Sequence, residues 1–178
     1  MPIQSEENLR TETLLNIAKQ MMLAARTAPK ARGIDHLEIA IVERQNIKLI
    51  SQKMHETGTE LNLPSFLRDA DNILQAPVMM LIGTKIKSSG LKKCGHCGFA
   101  NCEEKDKYAS VPCSFNTGDL GIAIGSAVSI AMDHRVDNRV MYTVGQAVME
   151  LGMLGKDTRI VYGIPLSATS KNPFFDRK

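Results

Sequence analysis

The chain of 178 residues is poor in aromatic side chains: Phe, Tyr and Trp together make up 4% of it, and Trp is absent. The core therefore has to be filled mainly by Leu, Ile, Val, Ala and the ten Met, which adapt to irregular gaps. Hydrophobic residues at 43% and charged residues at 23% are typical of a globular domain and not of a disordered chain. The formal net charge of +3 is too small to indicate nucleic acid as a partner.

Long hydrophobic runs are also missing. The longest, Leu120 to Met132, is interrupted by Gly and Ser, and a membrane-spanning helix needs about 20 apolar residues. The N-terminus has Ser5, Glu6 and Glu7 where a secretory signal would be basic and then apolar. We therefore expect a cytoplasmic protein with neither a membrane nor nucleic acid as partner. In a reducing compartment, cysteines indicate metal or redox chemistry more than disulfides.

The hydrophobic periodicity predicts an α+β domain. Helices are indicated from Ser5 to Pro29, from Ile47 to Gly58, from Pro64 to Leu74, from Asp119 to Asp133 and from Arg139 to Leu151, and strands over 37–42, 77–83 and 159–164. Between 85 and 117 this periodicity disappears, and Lys, Gly and Cys dominate. We predict one domain over 1–178, a mixed sheet flanked by helices, with a cysteine-rich iron–sulfur segment at 85–117 inserted in it.

All four cysteines fall within twenty residues, in the pattern C-x2-C-x4-C-x10-C: Cys94, Cys97, Cys102 and Cys113. Randomly placed cysteines would be scattered along the chain, so this clustering indicates one shared centre. Gly95 and Gly98 would let the backbone turn sharply between the sulfur ligands. Four thiolates at these spacings favour an iron–sulfur cluster, with [4Fe–4S] as the expected type.

Other uses of these cysteines remain open. A structural zinc site also takes four thiolates, although it usually has two C-x2-C pairs and only Cys94 and Cys97 form one here. A disulfide is disfavoured by the compartment, and inert buried cysteines are disfavoured by the lysine-rich surroundings. Nearby ammonium groups would offset the negative charge of a cluster, and four lysines lie just upstream: Lys85, Lys87, Lys92 and Lys93.

The Cys-Gly-x-Cys-Gly-x3-Cys sequence from Cys94 to Cys102 resembles the ferredoxin-type iron–sulfur motif of electron-transfer subunits and corrinoid iron–sulfur proteins. The chain as a whole resembles a prokaryotic family described as containing a ferredoxin domain. That resemblance runs through 76–83, the cysteines, 119–125, 163–167 and 171–177. It implies an electron-transfer function for the cysteine-rich part.

A second resemblance is to the nitroreductase-like flavoprotein fold. It rests on Ala24 to Pro29 ahead of a turn and a strand, and on 119–123 and 162–165. In that family FMN lies at a homodimer interface, where basic side chains hold its phosphate. The resemblance implies a homodimer and an FMN site, with these contacts: Arg26, Lys30, Arg32 and Arg177.

The chain departs from that family at its start, where an Arg-Arg-Ser-like stretch is replaced by Ser5-Glu6-Glu7. The flavin is therefore either absent or held differently. The alternative interpretation of Arg26, Lys30 and Arg32 is a solvated helix end, where cations suit the negative pole of the helix dipole.

Three hypotheses follow. The first is an iron–sulfur redox protein, coupled to a flavin and exchanging electrons with a partner protein or a small-molecule donor or acceptor. It would be a flavin- or iron–sulfur-dependent oxidoreductase if it turns over a substrate. The second is a zinc-stabilised, non-enzymatic binding module, and the third a purely structural cluster in a flavin-free scaffold. The four histidines have no ligand spacing and no acid–base pair is indicated, so no catalytic residue is assigned.

Overall fold

A computed structural model describes residues 3–175. In chain order its elements are α1 (Glu6–Thr27), a short 3-10 turn (Ala31–Gly33), β1 (Leu37–Glu43), α2 (Arg44–Glu60), α3 (Pro64–Ile73), β2 (Val78–Lys85), α4 (Cys102–Asp106), α5 (Ser114–Asp133), β3 (Asp137–Asn138), α6 (Tyr142–Glu150) and β4 (Thr158–Ser167). The long stretch between β2 and α5 contains only the five-residue helix α4. We call residues 86–113 the cysteine segment.

The strands form one sheet in the order β1-β2-β4-β3. Strand β2 lies between β1 and β4 and is buried at every position except its last, which explains its continuous apolar sequence. The predicted α+β class is confirmed. The sheet, predicted to be mixed, pairs antiparallel at each described strand pair. An apolar run shows that a strand is covered on both faces, but it does not show in which direction the neighbouring strands run.

Each face of the sheet is covered by helices. On one face, Met80 and Ile82 of β2 pack in a core with residues of α1 and α5. On the other face, Met79 and Leu81 pack with residues of α2, α3 and α6. Successive side chains of a strand point to opposite faces, so β2 contributes alternately to the two cores. The sheet thus holds α1 and α5, which border the cysteine segment, on one side.

Helix α6 lies unusually close to β4. A Cβ atom added to Gly145 would come within 1.7 Å of the carbonyl oxygen of Val161. One added to Gly163 would come within 2.2 Å of the Val144 side chain. The two glycines are therefore required by the contact between helix and strand.

The element boundaries differ from the predicted ones for identifiable reasons. Helix α5 begins at Ser114, ahead of the predicted Asp119, because Cys113 forms its N-cap. Helix α2 continues past Gly58, since that glycine makes room for the Leu67 side chain of α3 and does not end the helix. Helix α6 begins only at Tyr142, because the residues just before it bridge to β4.

Candidate metal centre and the adjoining pocket

The four cysteines line a single small cavity of about 10 Å³, with room for about one water molecule. Cys94, Cys97 and Cys102 are half-buried, Cys113 is buried, and all four are free of disulfide bonds. The fold therefore brings the four clustered cysteines to one cavity, and their role as ligands of one centre stays a prediction.

The turn between the first two cysteines depends on glycine. Gly95 and Gly98 have φ angles of +102° and +88°, values that L side chains rarely adopt. The N–H of Gly98 donates to the carbonyl of Gly95 at 2.9 Å and closes the turn. Cys94 and Cys97 thereby reach the same cavity from a short stretch of chain.

Cys102 is positioned by the capped start of α4. The side-chain oxygen of Asn101 accepts the N–H of Glu104 at 2.9 Å, and the Glu104 carboxylate accepts the N–H of Ala100 at 2.8 Å. This exchange closely resembles a capping box and satisfies donors that the short helix leaves open. It fixes the first residue of the helix, Cys102, against the cavity.

Cys113 lies where the chain enters α5. Burial raises the pKa of its thiol, but hydrogen bonds from the backbone of Ser89, Phe115 and Asn116 and from the Ser89 hydroxyl outweigh that effect. The net pKa is below the ordinary value of a cysteine. The Ser89 Oγ lies 3.8 Å from the Cys113 Sγ. Because thiolates and not thiols bind metals, these donors stabilise the form of Cys113 that can be a ligand.

The lysine that lines the cavity is not one of the predicted lysines. Lys85 pairs with Glu38 at 2.6 Å, and the other three are exposed and do not line the cavity: Lys87, Lys92 and Lys93. Lys105 lines it instead, with only 3% of its side chain exposed. It follows Cys102 by three residues within α4, a helical spacing that places both on one side.

A second pocket adjoins the first, since Ser114 and Phe115 line both. Its volume is about 360 Å³, within the range of small-molecule sites. His96, between Cys94 and Cys97 in sequence, forms part of its wall, and its ring centre lies 5.8 Å from that of Phe115. The two rings thus stand near the boundary between the pockets.

The floor of this second pocket ties the turn after α1 to α5. The backbone N–H of Ala31 donates to both carboxylate oxygens of Asp119, at 3.1 Å each, and both residues line the pocket. Asp119 has no counterpart among the predicted site residues. An acid in the first turns of a small-residue helix has no sequence signal that distinguishes it from a solvated one.

The residues predicted to contact the flavin form ion pairs and hydrogen bonds within the chain. Arg26 pairs with Asp35 at 2.6 Å, and Arg32 donates to the carbonyls of Ser89 and Gly90 at 3.0 and 3.2 Å. Arg26 and Arg32 do not line the second pocket, and Arg177 lies outside the described residues.

Lys30 lines the second pocket, with 5% of its side chain exposed. Its Nζ donates to three carbonyl oxygens at the end of α1, those of Ala25, Arg26 and Ala28, at 3.1, 2.7 and 2.7 Å. Such bonds satisfy carbonyls that a helix C-terminus leaves without partners. For Lys30 this arrangement is that of a helix-end cation, and a role in flavin binding stays a prediction.

Residues 3–175 contain neither a side-chain group arranged for a metal ion nor a helix suited to crossing a membrane. Over that range no group of three or more His, Cys, Asp or Glu side chains is arranged so that it could hold a metal ion. Likewise, none of the helices described there is both long and apolar enough to cross a membrane. The cysteines surround their cavity without being drawn together as the ligands of a single ion.

Three solved structures show the fold to which this one is similar. Nitroreductase CinD from Lactococcus lactis, in complex with nicotinic acid, matches with a TM-score of 0.62 and 12% identity, over 95% of this chain and 81% of that one. A nitroreductase with bound FMN from Desulfitobacterium hafniense matches with a TM-score of 0.57 and 16% identity, over 99% of this chain and 85% of that one. A BluB-like flavoprotein from Clostridium difficile matches with a TM-score of 0.54 and 20% identity, over 88% of this chain and 84% of that one. At these identities the likeness concerns the fold alone, and the predicted nitroreductase-like fold is confirmed.

Sequence comparison gives the family. A profile described as "Uncharacterized protein containing a ferredoxin domain (DUF2148)" matches residues 109–177, which include Cys113 but not the other three cysteines. A protein of Archaeoglobus fulgidus, described as "Uncharacterized protein", is 37% identical over 180 residues, 97% of this chain and 96% of that protein. The match along nearly the whole length, together with the profile, shows that the chain belongs to this family of proteins containing a ferredoxin domain.

Proposed function

We propose that the protein transfers electrons through a [4Fe–4S] cluster held by Cys94, Cys97, Cys102 and Cys113. The observation that carries the proposal is that one cavity is lined by all four cysteines of the chain. When bound, such a cluster accepts and donates single electrons. The ferredoxin-domain family and a fold shared with flavin oxidoreductases support a redox role.

The cysteine spacing favours a polynuclear cluster over zinc, because only Cys94 and Cys97 form the C-x2-C pair of which zinc sites usually have two. A zinc ion holds four sulfur atoms at about 2.3 Å, in a compact tetrahedron. Over residues 3–175 no group of His, Cys, Asp or Glu is drawn together in the manner of a single-ion site, although the four cysteines share one cavity. The zinc-stabilised binding module is the alternative that the experiment below distinguishes.

The chain itself contributes hydrogen bonds and shielding from water. The backbone N–H groups at the start of α5 and the Ser89 hydroxyl favour the thiolate of Cys113. Hydrogen bonds to sulfur and limited solvent access are two of the means by which a protein sets a cluster's potential. Leu91 and Phe115 in the cavity wall provide apolar cover.

The second pocket is the natural place for electrons to enter or leave, because it shares Ser114 and Phe115 with the cysteine cavity. We propose that a small-molecule electron donor or acceptor binds there, or that a redox partner protein contacts it. FMN is an alternative occupant by analogy with the FMN-bound structures of the same fold. Holding its phosphate would require Arg26, Lys30 or Arg32 to give up contacts made within the chain.

The experiment is to purify the protein anaerobically, reconstitute it with iron and sulfide, and measure iron, acid-labile sulfide, zinc and the visible spectrum. We expect about four iron and four sulfide per chain and an absorbance that dithionite bleaches reversibly. Cys97→Ser should lose most of the iron, because it removes one of four ligands. A separate absorbance spectrum, taken after the protein is denatured, would show whether a flavin is released.

The matched control is Lys93→Ser, which changes an exposed residue beside Cys94 that does not line the cavity. It should keep the wild-type iron content. Wild-type protein with no iron or sulfide after reconstitution would contradict the proposal. About one zinc per chain in material grown with ample iron would support the binding module instead.

A homodimer is the second part of the proposal. Three glycines lie along α5, and a Cβ atom at any of them would meet nothing within 4 Å: Gly118, Gly121 and Gly125. Ile122 and Met132 on this helix are 49% and 69% exposed. Glycine destabilises a helix, and no contact within the chain requires glycine at these three positions. A second copy packed closely against α5 would explain them.

Sedimentation velocity should show a dimer that Gly121→Leu weakens, and a monomeric wild type would refute the proposed dimer.

A further inference from the structure

Lys105 is a cation in an unusual position. Its side chain is 3% exposed, and it lies in the wall of the cysteine cavity. Lysine is rarely buried to this extent without a specific partner, because its charge loses its contacts with water. The proposed function, as argued from the cysteines alone, gives Lys105 no part.

The contacts of Lys105 hold its charge in place but only partly offset it. The Nζ atom lies 2.9 Å from a carboxylate oxygen of Asp106 and 3.4 Å from the carbonyl oxygen of Val111. Asp106 is 55% exposed, and the Ser88 hydroxyl also donates to it, at 2.6 Å. Because water screens an exposed carboxylate, Asp106 compensates Lys105 less than a buried partner would.

We propose that Lys105 is the residue that raises the reduction potential of the cluster held by the four cysteines, with Asp106 moderating its effect. This inference rests on the proposed function. A cluster bound by four thiolates is negatively charged, and reduction adds one more electron to it. A positive charge on a residue that lines the cavity stabilises the reduced form more than the oxidised form, and burial of that residue strengthens the effect.

The test is a titration of the reconstituted protein with dithionite, which supplies one electron per cluster, in the presence of redox mediators. Lys105→Met keeps the length of the side chain and removes its charge, so the midpoint potential should become more negative. We expect roughly a tenfold change in the equilibrium constant, which is about 59 mV for a one-electron couple. Lys105→Arg keeps the charge and should stay near the wild-type value.

Two further variants separate charge from loosened packing. Asp106→Asn removes the moderating carboxylate, so the potential should move in the opposite direction, to a less negative value, by a smaller amount. Lys92→Met makes the same substitution at an exposed lysine close to Cys94, and its shift should be much smaller than that of Lys105→Met. A disturbed cavity would not give shifts of opposite sign for neighbouring residues.

The outcomes distinguish this inference from the proposed function. If the wild type contains no iron and sulfide, both are overturned. If it contains the cluster but Lys105→Met has the wild-type potential or shifts no more than Lys92→Met, only the inference about Lys105 is overturned. Should Lys105→Met fail to retain iron, Asp106→Asn decides: a less negative potential supports the inference, and an unchanged or more negative one refutes it.

Discussion

The sheet with its helices and the cysteine segment are stabilised in different ways. In β2, every residue from Val78 to Thr84 is buried, and two apolar cores cover its faces. In the cysteine segment before Cys113, the buried residues are Ser89 and Lys105, both polar. One region is held by apolar packing, which supplies most of the free energy of folding. The other is held by capping, turn and ion-pair contacts.

This difference would allow one chain to carry the proposed redox centre on a stable scaffold. The two regions are joined by specific polar contacts, chiefly from Arg32 in the turn after α1 to the carbonyls of Ser89 and Gly90. Arg32 itself has a φ of +58°, uncommon for a residue with a side chain. The contacts orient the start of the cysteine segment relative to α1 without an extensive apolar interface.

The largest effect should come from filling the close contact between α6 and β4. Gly145→Ala puts a methyl group where the Val161 carbonyl oxygen lies, and backbone cannot rotate away as a side chain can. We expect a loss of about 3 kcal/mol or more in the free energy of unfolding, at or beyond the upper end of ordinary overpacking. Urea unfolding followed by circular dichroism measures it.

Gly121→Ala is the control for that measurement, made at a protein concentration low enough for the chain to be monomeric, because within one chain a Cβ at this helical position meets nothing within 4 Å. Alanine there should raise helix stability by about 0.5–1 kcal/mol. Equal losses for the two variants would mean that close packing against β4 does not govern the stability of the scaffold.

The sequence predicts the scaffold better than the segment for a physical reason. Apolar periodicity reports burial, so it finds α1, the buried strand β2 and the helices that cover it. It does not report where polar contacts start a helix, and α5 therefore begins just after Cys113, before its apolar pattern does. Strand direction is not predicted either, because the pairing of β2 with both neighbours leaves no mark on its own sequence.

In the candidate site, the cysteines could be found from the sequence and their surroundings could not. Clustered cysteines with interleaved glycines are typical of a metal centre, and these four do share one cavity. Charged residues are common near any turn, so the lysines upstream of Cys94 fit the expected pattern while Lys105 does not stand out. Which cation faces the cavity depends on the course of the chain through α4, and that is settled only in three dimensions.

A smaller and local effect should follow from emptying the cavity. In reconstituted wild type and in Cys97→Ser, hydrogen exchange followed by mass spectrometry compares the cysteine segment with β2 and β4. Because the segment before Cys113 buries no apolar side chain, loss of the cluster should speed its exchange by about tenfold or more, while the strands keep their protection. Lys93→Ser, which keeps all four ligands, should exchange like the wild type. If the strands of Cys97→Ser lost protection in step with the segment, the two regions would unfold as one unit, and the cluster would stabilise the scaffold as well as the segment that binds it.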